Sequence, residues 1–522
     1  MTKTAVSGAD ADRGAPPGIL PLDAHNLRLL ANVHPADWKN PEPAPRYNLV
    51  VLGAGTAGLI SAAVAAGLGA KVALVERFLM GGDCLNIGCV PSKSVIRAGR
   101  LIEDARRAGA LGAPAFARDA VDFGAAMQRM RRIRAQISSD DSALRFRDEL
   151  KVDVFLGEAR FTSRDSIEVG GRSLRFAKAV IATGARPALP PIPGLAQARP
   201  RTNETIFELT ERPRRLVVIG GGPIGAELAQ AFCRLGCEVT LVEAGPRLLP
   251  REDADAAEIV QRRLAAEGVS LRLGASALQV ELRGNAKALR LRGADGDVTE
   301  LLADEILIAV GRLPNLEGLN LETAGVEADA RAGVRVNDHL QTSNPRIYAA
   351  GDICMDWKFT HAADAAAKIA VQNALFLRTK RLSSLVMPWC TYTDPEVAHV
   401  GLYEREAAER GIAVDTYLVP LDQVNRAVTD GEEEGFIKVH VKRGSDRILG
   451  ATIVAAHAGE MISEVTLAIV GKLGLGTLLG VIHPYPTQAE GIKRVAGLWV
   501  RTRATPLVKR ALSGWMALRR GR

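Results

Sequence analysis

Cysteine is scarce in this chain, six residues among 522, and the six are scattered. That excludes a secreted scaffold held by a disulfide framework and points to a reducing compartment with one specialised pair. The opening residues, MTKTAVSGADADRG, offer neither a basic leader nor an apolar core, so no secretory signal is expected and the cytoplasm is the expected location. Long apolar runs are missing but for one: Tyr47 to Ala70 carries no charge and is long enough to span a bilayer. Gly53, Gly55, Gly58, Gly67 and Gly69 interrupt it, a strand-like YNLVVLG opens it and KVALVE follows. A buried strand, glycine turn and helix explain it, and no spanning helix is expected. Acid is absent from Lys493 onward, where nine basic residues stand; without them the net charge of +8 becomes −1. The basic character therefore belongs to the tail, and no nucleic acid partner is expected.

What is present is length and repetition. With 47% hydrophobic residues, the chain can bury several cores, roughly three or four domains. Residues 1–46 begin as low-complexity sequence and continue through PLDAHNLRLLANVHPADWKNPEPAP, whose apolar residues and Trp38 suggest packing before a proline-rich boundary. Two similar units follow. LVVLGAGTAG carries Gly53, Gly55 and Gly58, and Glu76 closes the next strand; LVVIGGGPIG carries Gly220, Gly222 and Gly225, and Glu243 closes TLVE. First glycine and acid are 23 residues apart in both units. A glycine turn alone is a weak signal, but here each follows an apolar strand, opens a helix and precedes an acid at the required spacing. The glycines let a pyrophosphate approach the helix N-terminus, and the acid can accept from ribose hydroxyls. Two further strands run into tight turns, VIATGARP with Thr183 and Gly184, and RIYAAGD ending at Asp352. From about Pro388, strand-like segments alternate with amphipathic helices, as in a separate α+β domain.

MGGDCLNIGCVPSK sets Cys84 and Cys89 five residues apart, with Lys93 four further on. In a regular helix that spacing separates Cα atoms by about 8.7 Å, too far for a disulfide. The turn must be irregular, which Gly81, Gly82 and Gly88 allow, and a helix N-terminus would lower the pKa of a cysteine placed on it. No second Cys/His pair at ligand spacing accompanies the motif, so no metal site is expected. Cys233 and Cys237, one helical turn apart, are read as core packing, and Cys354 and Cys390 as structural. His361 and His457 are read as satisfied core or surface residues.

From about residue 47 to 495, and most specifically in GGDCLNIGCVPSK, the chain resembles the glutathione reductase, dihydrolipoamide dehydrogenase and mercuric reductase family. The resemblance implies an α/β fold: two Rossmann-like dinucleotide-binding domains, for FAD and NAD(P), and a C-terminal α+β dimerisation domain. It implies an extension at 1–46, FAD-binding segments at 47–205 and 304–385, an NAD(P)-binding domain at 206–303, a dimerisation domain at 386–495 and a basic amphipathic tail at 496–522. Gly53, Gly55, Gly58 and Glu76 would hold the FAD pyrophosphate and adenosine ribose, and Asp352 the ribityl chain. Gly220, Gly222, Gly225 and Glu243 would serve the nicotinamide cofactor. Cys89 would be the flavin-side charge-transfer thiol and Cys84 the interchange thiol, with Lys93 near the flavin and paired with Glu227. The active site would be shared between the subunits of a homodimer. Glu243 stands where NADPH-using relatives often place arginine, and a carboxylate repels a 2′-phosphate, so NADH is expected over NADPH; Arg247 and Arg251 nearby could reverse that. Pro223 replaces a nicotinamide-gating tyrosine of many relatives.

Disulfide-reducing members end with HPTxxE, in which the histidine is an acid/base oriented by the glutamate. This chain reads HPYPTQAE, which puts Tyr485 at the catalytic position with Glu490 after it and His483 two residues early. Mercuric reductases also carry tyrosine there, but they have a C-terminal cysteine pair, and no cysteine follows Cys390 here. The expected acceptor is a metal ion or another small molecule. The alternatives are a disulfide reductase using His483 as base, and a membrane-attached flavin relay or sensor. The last rests on the tail, where Leu507, Val508, Ala511, Leu512, Trp515 and Leu518 fall near helical spacing and Lys509, Arg510, Arg519 and Arg520 are offset from them.

Overall fold

A computed structural model describes residues 19–114, 116–117 and 120–521. The start of the chain, MTKTAVSGADADRG, lies outside the described residues. The chain divides into two compact units, one running up to Pro246 and again over Glu267–Leu385, the other formed by Arg247–Ala266 with the chain from Val386 onward.

Two sheets of the first unit carry the glycine turns. In one, β1 (Tyr47–Leu52) lies between β2 (Val72–Glu76) and the strand Arg172–Ile181, parallel to both, with Leu49 opposite Val72 and Lys178. Leu49 through Leu52 are all buried, as a parallel strand covered on both faces requires. The strands Asp153–Leu156, Ser166–Val169, Ala159–Ser163 and Ile347–Ala349 complete this seven-stranded sheet. Helix α2 (Thr56–Gly67) leaves β1 through the glycine turn and packs on the alanine-rich helix Thr360–Leu375. The apolar run at Tyr47–Ala70 is thus a strand, turn and buried helix.

The other sheet repeats the device with four parallel strands in the order Ser270–Leu273, Glu238–Glu243, Arg215–Ile219, Glu305–Ile308. Its last strand, Glu305–Ile308, pairs in parallel with Arg215–Ile219. Helix Pro223–Arg234 follows the second glycine turn, opened by Pro223 at its first position, where proline's missing N–H costs nothing. Before β1, Asp23 caps α1 (Ala24–Val33), pairs with Arg131 at 2.6 Å, and Trp38 Nε1 donates to the Val154 carbonyl. Within the described residues 19–46, α1 and Trp38 are therefore packed, as the apolar residues there suggested.

The cysteine segment forms two helices, α3 (Gly82–Asn86) and α4 (Cys89–Arg107), separated by Ile87 and Gly88. Helix α4 packs on α5 (Phe123–Ile137) and on the helix Pro223–Arg234.

The second unit carries a five-stranded antiparallel sheet in the order Pro388–Thr391, Glu396–Gly401, Ile448–Ala455, Phe436–Lys442, Val414–Pro420. Ile437, Val439 and Ile453 pack with Val465 of the helix Ala458–Val470 and Val495 of the helix Glu490–Arg503. The segment around helix Ala254–Ala266 joins this unit through a buried carboxylate: Glu252 accepts from Trp389 Nε1 at 2.8 Å and from the Tyr403 hydroxyl at 2.6 Å. The tail forms a helix, Pro506–Arg520, capped by Thr505 and burying none of its side chains; Leu507 is 79% exposed and Trp515 56%. Among the described residues no helix is long and apolar enough to cross a membrane.

Candidate redox centre and nucleotide cradles

The two glycine turns are built alike. Gly53 and Gly220 have φ of +97° and +112°, which only glycine adopts without strain. A Cβ on Gly58 would stand 1.7 Å from the Gly53 carbonyl oxygen, and one on Gly225 would stand 1.8 Å from that of Gly220. Each closing carboxylate ties the turn together. Glu76 accepts from the N–H of Ala54 at 2.6 Å and of Phe78 at 2.8 Å; Glu243 accepts from Gly221 and Gly245, both at 2.6 Å. Burial raises the pKa of Glu76, against the lowering effect of those N–H groups. Both turns present bare backbone at the N-terminus of a helix, where N–H groups lack intrahelical partners, and this fits a dinucleotide pyrophosphate.

A third arm converges on the first cradle. Arg312, which the sequence reading missed, ion-pairs with Asp83 of the cysteine segment, donates to the Ala185 carbonyl at 2.6 Å and lies 3.5 Å from Asp352. Burial raises the Asp352 pKa, opposed by Arg312 and then Lys358. Thr183 Oγ1 donates to the Asn315 carbonyl and the Asn315 amide returns a bond to the Thr183 carbonyl, both at 2.9 Å, while Gly184 accepts from the Asn315 N–H. The GRLPN turn after the apolar strand EILI was the available signal for Arg312 and Asn315.

Neither Cys84 nor Cys89 is in a disulfide in this structure. The helix break brings their side chains together: Cys84 sits on α3, Cys89 is the first residue of α4, and the thiols are hydrogen-bonded to each other. That bond pulls the Cys89 pKa down to about 6, helped by Thr360 and Lys93 and opposed by burial. It pushes Cys84 up, as does burial. Thr360 Oγ1 lies 3.3 Å from Cys89 Sγ. Lys93, one turn along α4, reaches Glu227 at 2.8 Å, and the Glu227 side chain is only 6% exposed. Asp141 is a further neighbour that the sequence reading missed. Burial and Asp140 raise its pKa to about 6, and its charge adds to the upward push on Cys84. Thr360 and Asp141 left no local signal, because only the fold carries them to the pair. Cys233 and Cys237 are buried, Cys237 with its thiol pushed up to about 12 by burial.

The C-terminal candidates are not gathered in this way. His483 Nε2 lies 3.0 Å from Glu464 of the helix Ala458–Val470, and Nδ1 lies 3.4 Å from the Val481 carbonyl. The Tyr485 hydroxyl accepts from the Asn425 amide at 2.8 Å, and Tyr485 is 68% exposed. Glu490 pairs with Arg494 at 3.4 Å. His483 and Glu490 are thus partnered separately, and Glu464 was another missed neighbour.

Residues 47–367 match the pyridine nucleotide-disulphide oxidoreductase family, and residues 387–496 match the dimerisation domain of that family. The chain is 38% identical to a mercuric reductase of Lysinibacillus sphaericus over 450 residues, covering 86% of this chain and 82% of that one. It is 36% identical to a dihydrolipoyl dehydrogenase of Thermus scotoductus over 453 residues, 86% of this chain and 96% of that one. Among solved structures, the Cu(II) complex of the HOCl-induced flavoprotein disulfide reductase RclA from Escherichia coli aligns with a TM-score of 0.78 at 28% identity, over 87% of this chain and 100% of that one.

Proposed function

The chain belongs to the pyridine nucleotide-disulphide oxidoreductase family, homodimeric enzymes that use FAD and NAD(P)H, and from that premise we propose that it passes two electrons through Cys84 and Cys89 to a metal ion or another small acceptor. The observation that carries this reading is the hydrogen-bonded thiol pair at the start of α4, one turn from the Lys93–Glu227 ion pair. FAD, when bound, supplies the two-electron junction between nicotinamide and sulfur. Gly53, Gly55, Gly58 and Glu76 would hold its pyrophosphate and adenosine end, and Asp352 and the Thr183–Gly184 turn would meet its ribityl chain. Gly220, Gly222, Gly225 and Glu243 would hold the nicotinamide cofactor. In the dithiol, Cys89 carries the thiolate, stabilised by the α4 N-terminus, the Cys84 S–H, Thr360 and Lys93. Cys84 holds the proton and has to release it before attacking an acceptor. Glu227 holds Lys93 in place through their 2.8 Å ion pair.

NADH is the proposed donor. A 2′-phosphate beside the Glu243 carboxylate would meet charge repulsion, whereas ribose hydroxyls can donate to it. The metal-ion reading is supported by Tyr485 at the acid/base position and by relatives that are mercuric reductases. The disulfide reading with His483 as base is less well supported, since both His483 ring nitrogens face acceptors within the same subunit. An anaerobic acceptor screen with NADH, run beside Cys84→Ser, tests the proposal: acceptors reduced only by the unaltered enzyme support it, and an acceptor reduced equally by both contradicts it.

The exposed helix Pro506–Arg520 favours a second element, a peripheral contact with an anionic membrane face from the cytoplasm. Its apolar side chains are unburied, it contains no acid, and Arg519 lies over the Trp515 ring at 5.4 Å. Liposome flotation of the full chain, lost on truncation at Pro506, supports that contact; unchanged flotation removes it.

A further inference from the structure

The packed segment ahead of residue 47, where the family match begins, is fastened to the turn that carries Cys84. Asn26 on α1 and Arg134 on α5 are both fully buried. Arg134 Nη2 donates to Asn26 Oδ1 at 2.8 Å, and Nη1 donates to the Asn86 carbonyl at 2.5 Å. Asn86 is the last residue of α3, so its carbonyl has no partner within that helix. The Asn86 amide closes the turn from inside, donating to the Met80 and Gly82 carbonyls at 3.0 and 2.9 Å. The Met80 N–H in turn donates to the carbonyl of Val33, the last residue of α1, at 3.2 Å. Asn26 is itself fixed, its amide donating to the Ile19 and Pro21 carbonyls at 2.6 and 2.8 Å. Cys84 thus lies within a stretch, Met80 to Asn86, that is held from α1 at both ends. The charge of Arg134 is costly where it lies: burial pulls its pKa down to about 10, and Arg131 adds to that. An apolar side chain of similar volume would pack there at less cost, and what the guanidinium supplies instead is a fork that spans oxygens on two different elements.

We propose that Asn26 and Arg134 are positioning residues for the redox pair: the clamp they form sets the place of the Met80 to Asn86 turn and thereby keeps the Cys84 thiol against Cys89. This rests on the electron route proposed above and adds to it a contribution from residues ahead of the family match. The clamp acts through geometry. If it loosens, the Cys84 S–H moves off Cys89, and the bond that most favours the Cys89 thiolate is lost. Thr360 and Lys93 also favour that thiolate, Glu227 opposes it and Asp141 acts on Cys84; none of the four is exchanged in the test.

The test reads the thiolate of the reduced, FAD-loaded homodimer by ultraviolet absorbance against pH, with Cys89→Ser as the blank, beside steady-state kinetics with NADH. Asn26→Leu removes no charge, so a shift there is positional; Arg134→Met removes the fork. In both, the thiolate midpoint is expected to rise by about one pH unit, and kcat to fall about tenfold with KM for NADH unchanged. Asn344→Ala controls for mere loss of stability, since Asn344 is also buried and its amide donates to the Arg164 and Ala324 carbonyls at 3.0 and 2.7 Å, residues that take no part in the site. It is expected to lower the melting temperature and leave the midpoint in place. Arg134→Lys keeps the charge but cannot span both oxygens, and it serves if the apolar variants do not fold; its midpoint is expected to rise too. An unchanged midpoint in the Asn26 and Arg134 variants, or an equal rise in Asn344→Ala, overturns the clamp and leaves the electron route standing. Full turnover in Cys84→Ser overturns the route itself, and the clamp's role in it.

Discussion

The cysteine segment and the HPYPTQAE segment carry equally conspicuous residue types, yet the fold treats them in opposite ways. Around Cys84 and Cys89 it gathers partners from distant parts of the chain: Thr360 against Cys89, Glu227 against Lys93, Arg312 against Asp83. In HPYPTQAE it disperses them, His483 to Glu464, Tyr485 to Asn425, Glu490 to Arg494. The second segment leaves Tyr485 68% exposed, its hydroxyl bonded to Asn425.

The largest expected effect strikes the gathered centre. Cys84→Ser or Cys89→Ser is expected to lower NADH-driven reduction of the acceptor by about a thousandfold or more, measured by steady-state kinetics, because each removes a member of a covalent relay. Retention of turnover would dissolve the contrast between the two segments. Next comes Glu227→Gln, which leaves the Lys93 charge without its buried partner; a decrease of about tenfold to a hundredfold in kcat is expected, with KM for the acceptor little changed. The dispersed segment should respond less and unevenly. Tyr485→Phe is expected to lower turnover by about tenfold, as loss of one proton donor does, while His483→Ala stays within about threefold because its ring is already committed. The reverse ranking would make His483 the base and favour a disulfide reductase of the ordinary kind.

A smaller effect concerns pH. With the Cys89 pKa drawn down to about 6, the reduced pair should carry one thiolate above that pH and lose it below, read as thiolate ultraviolet absorbance against Cys89→Ser. Lys93→Met removes a cation that favours the thiolate, so the midpoint should move up. A midpoint that stays in place would detach Lys93 from the pair.

The same contrast explains what was legible in the sequence. The two glycine turns could be read because their determinants are local: a strand, a glycine with positive φ, a helix and an acid 23 residues on, repeated in Gly53 to Glu76 and Gly220 to Glu243. The cysteine turn was legible for the same reason, since five residues of regular helix cannot bring two sulfurs together and the glycines showed where the helix breaks. Thr360, Asp141 and Glu464 were not legible, because each comes to its neighbour only through tertiary packing and has no distinctive local context. The pairing of Glu305–Ile308 with Arg215–Ile219 is likewise a long-range register that sequence spacing does not reveal.

The central claim is that electrons reach the acceptor through the two sulfurs. Counting alkylated thiols tests it most directly. The oxidised FAD-loaded enzyme is given one equivalent of NADH per subunit without oxygen, then one of acceptor, and Cys84 and Cys89 are mapped by mass after each step. The account predicts that both cysteines become alkylatable after NADH and are protected again as the acceptor is reduced. Reduction of the acceptor while both thiols remain alkylatable would contradict it.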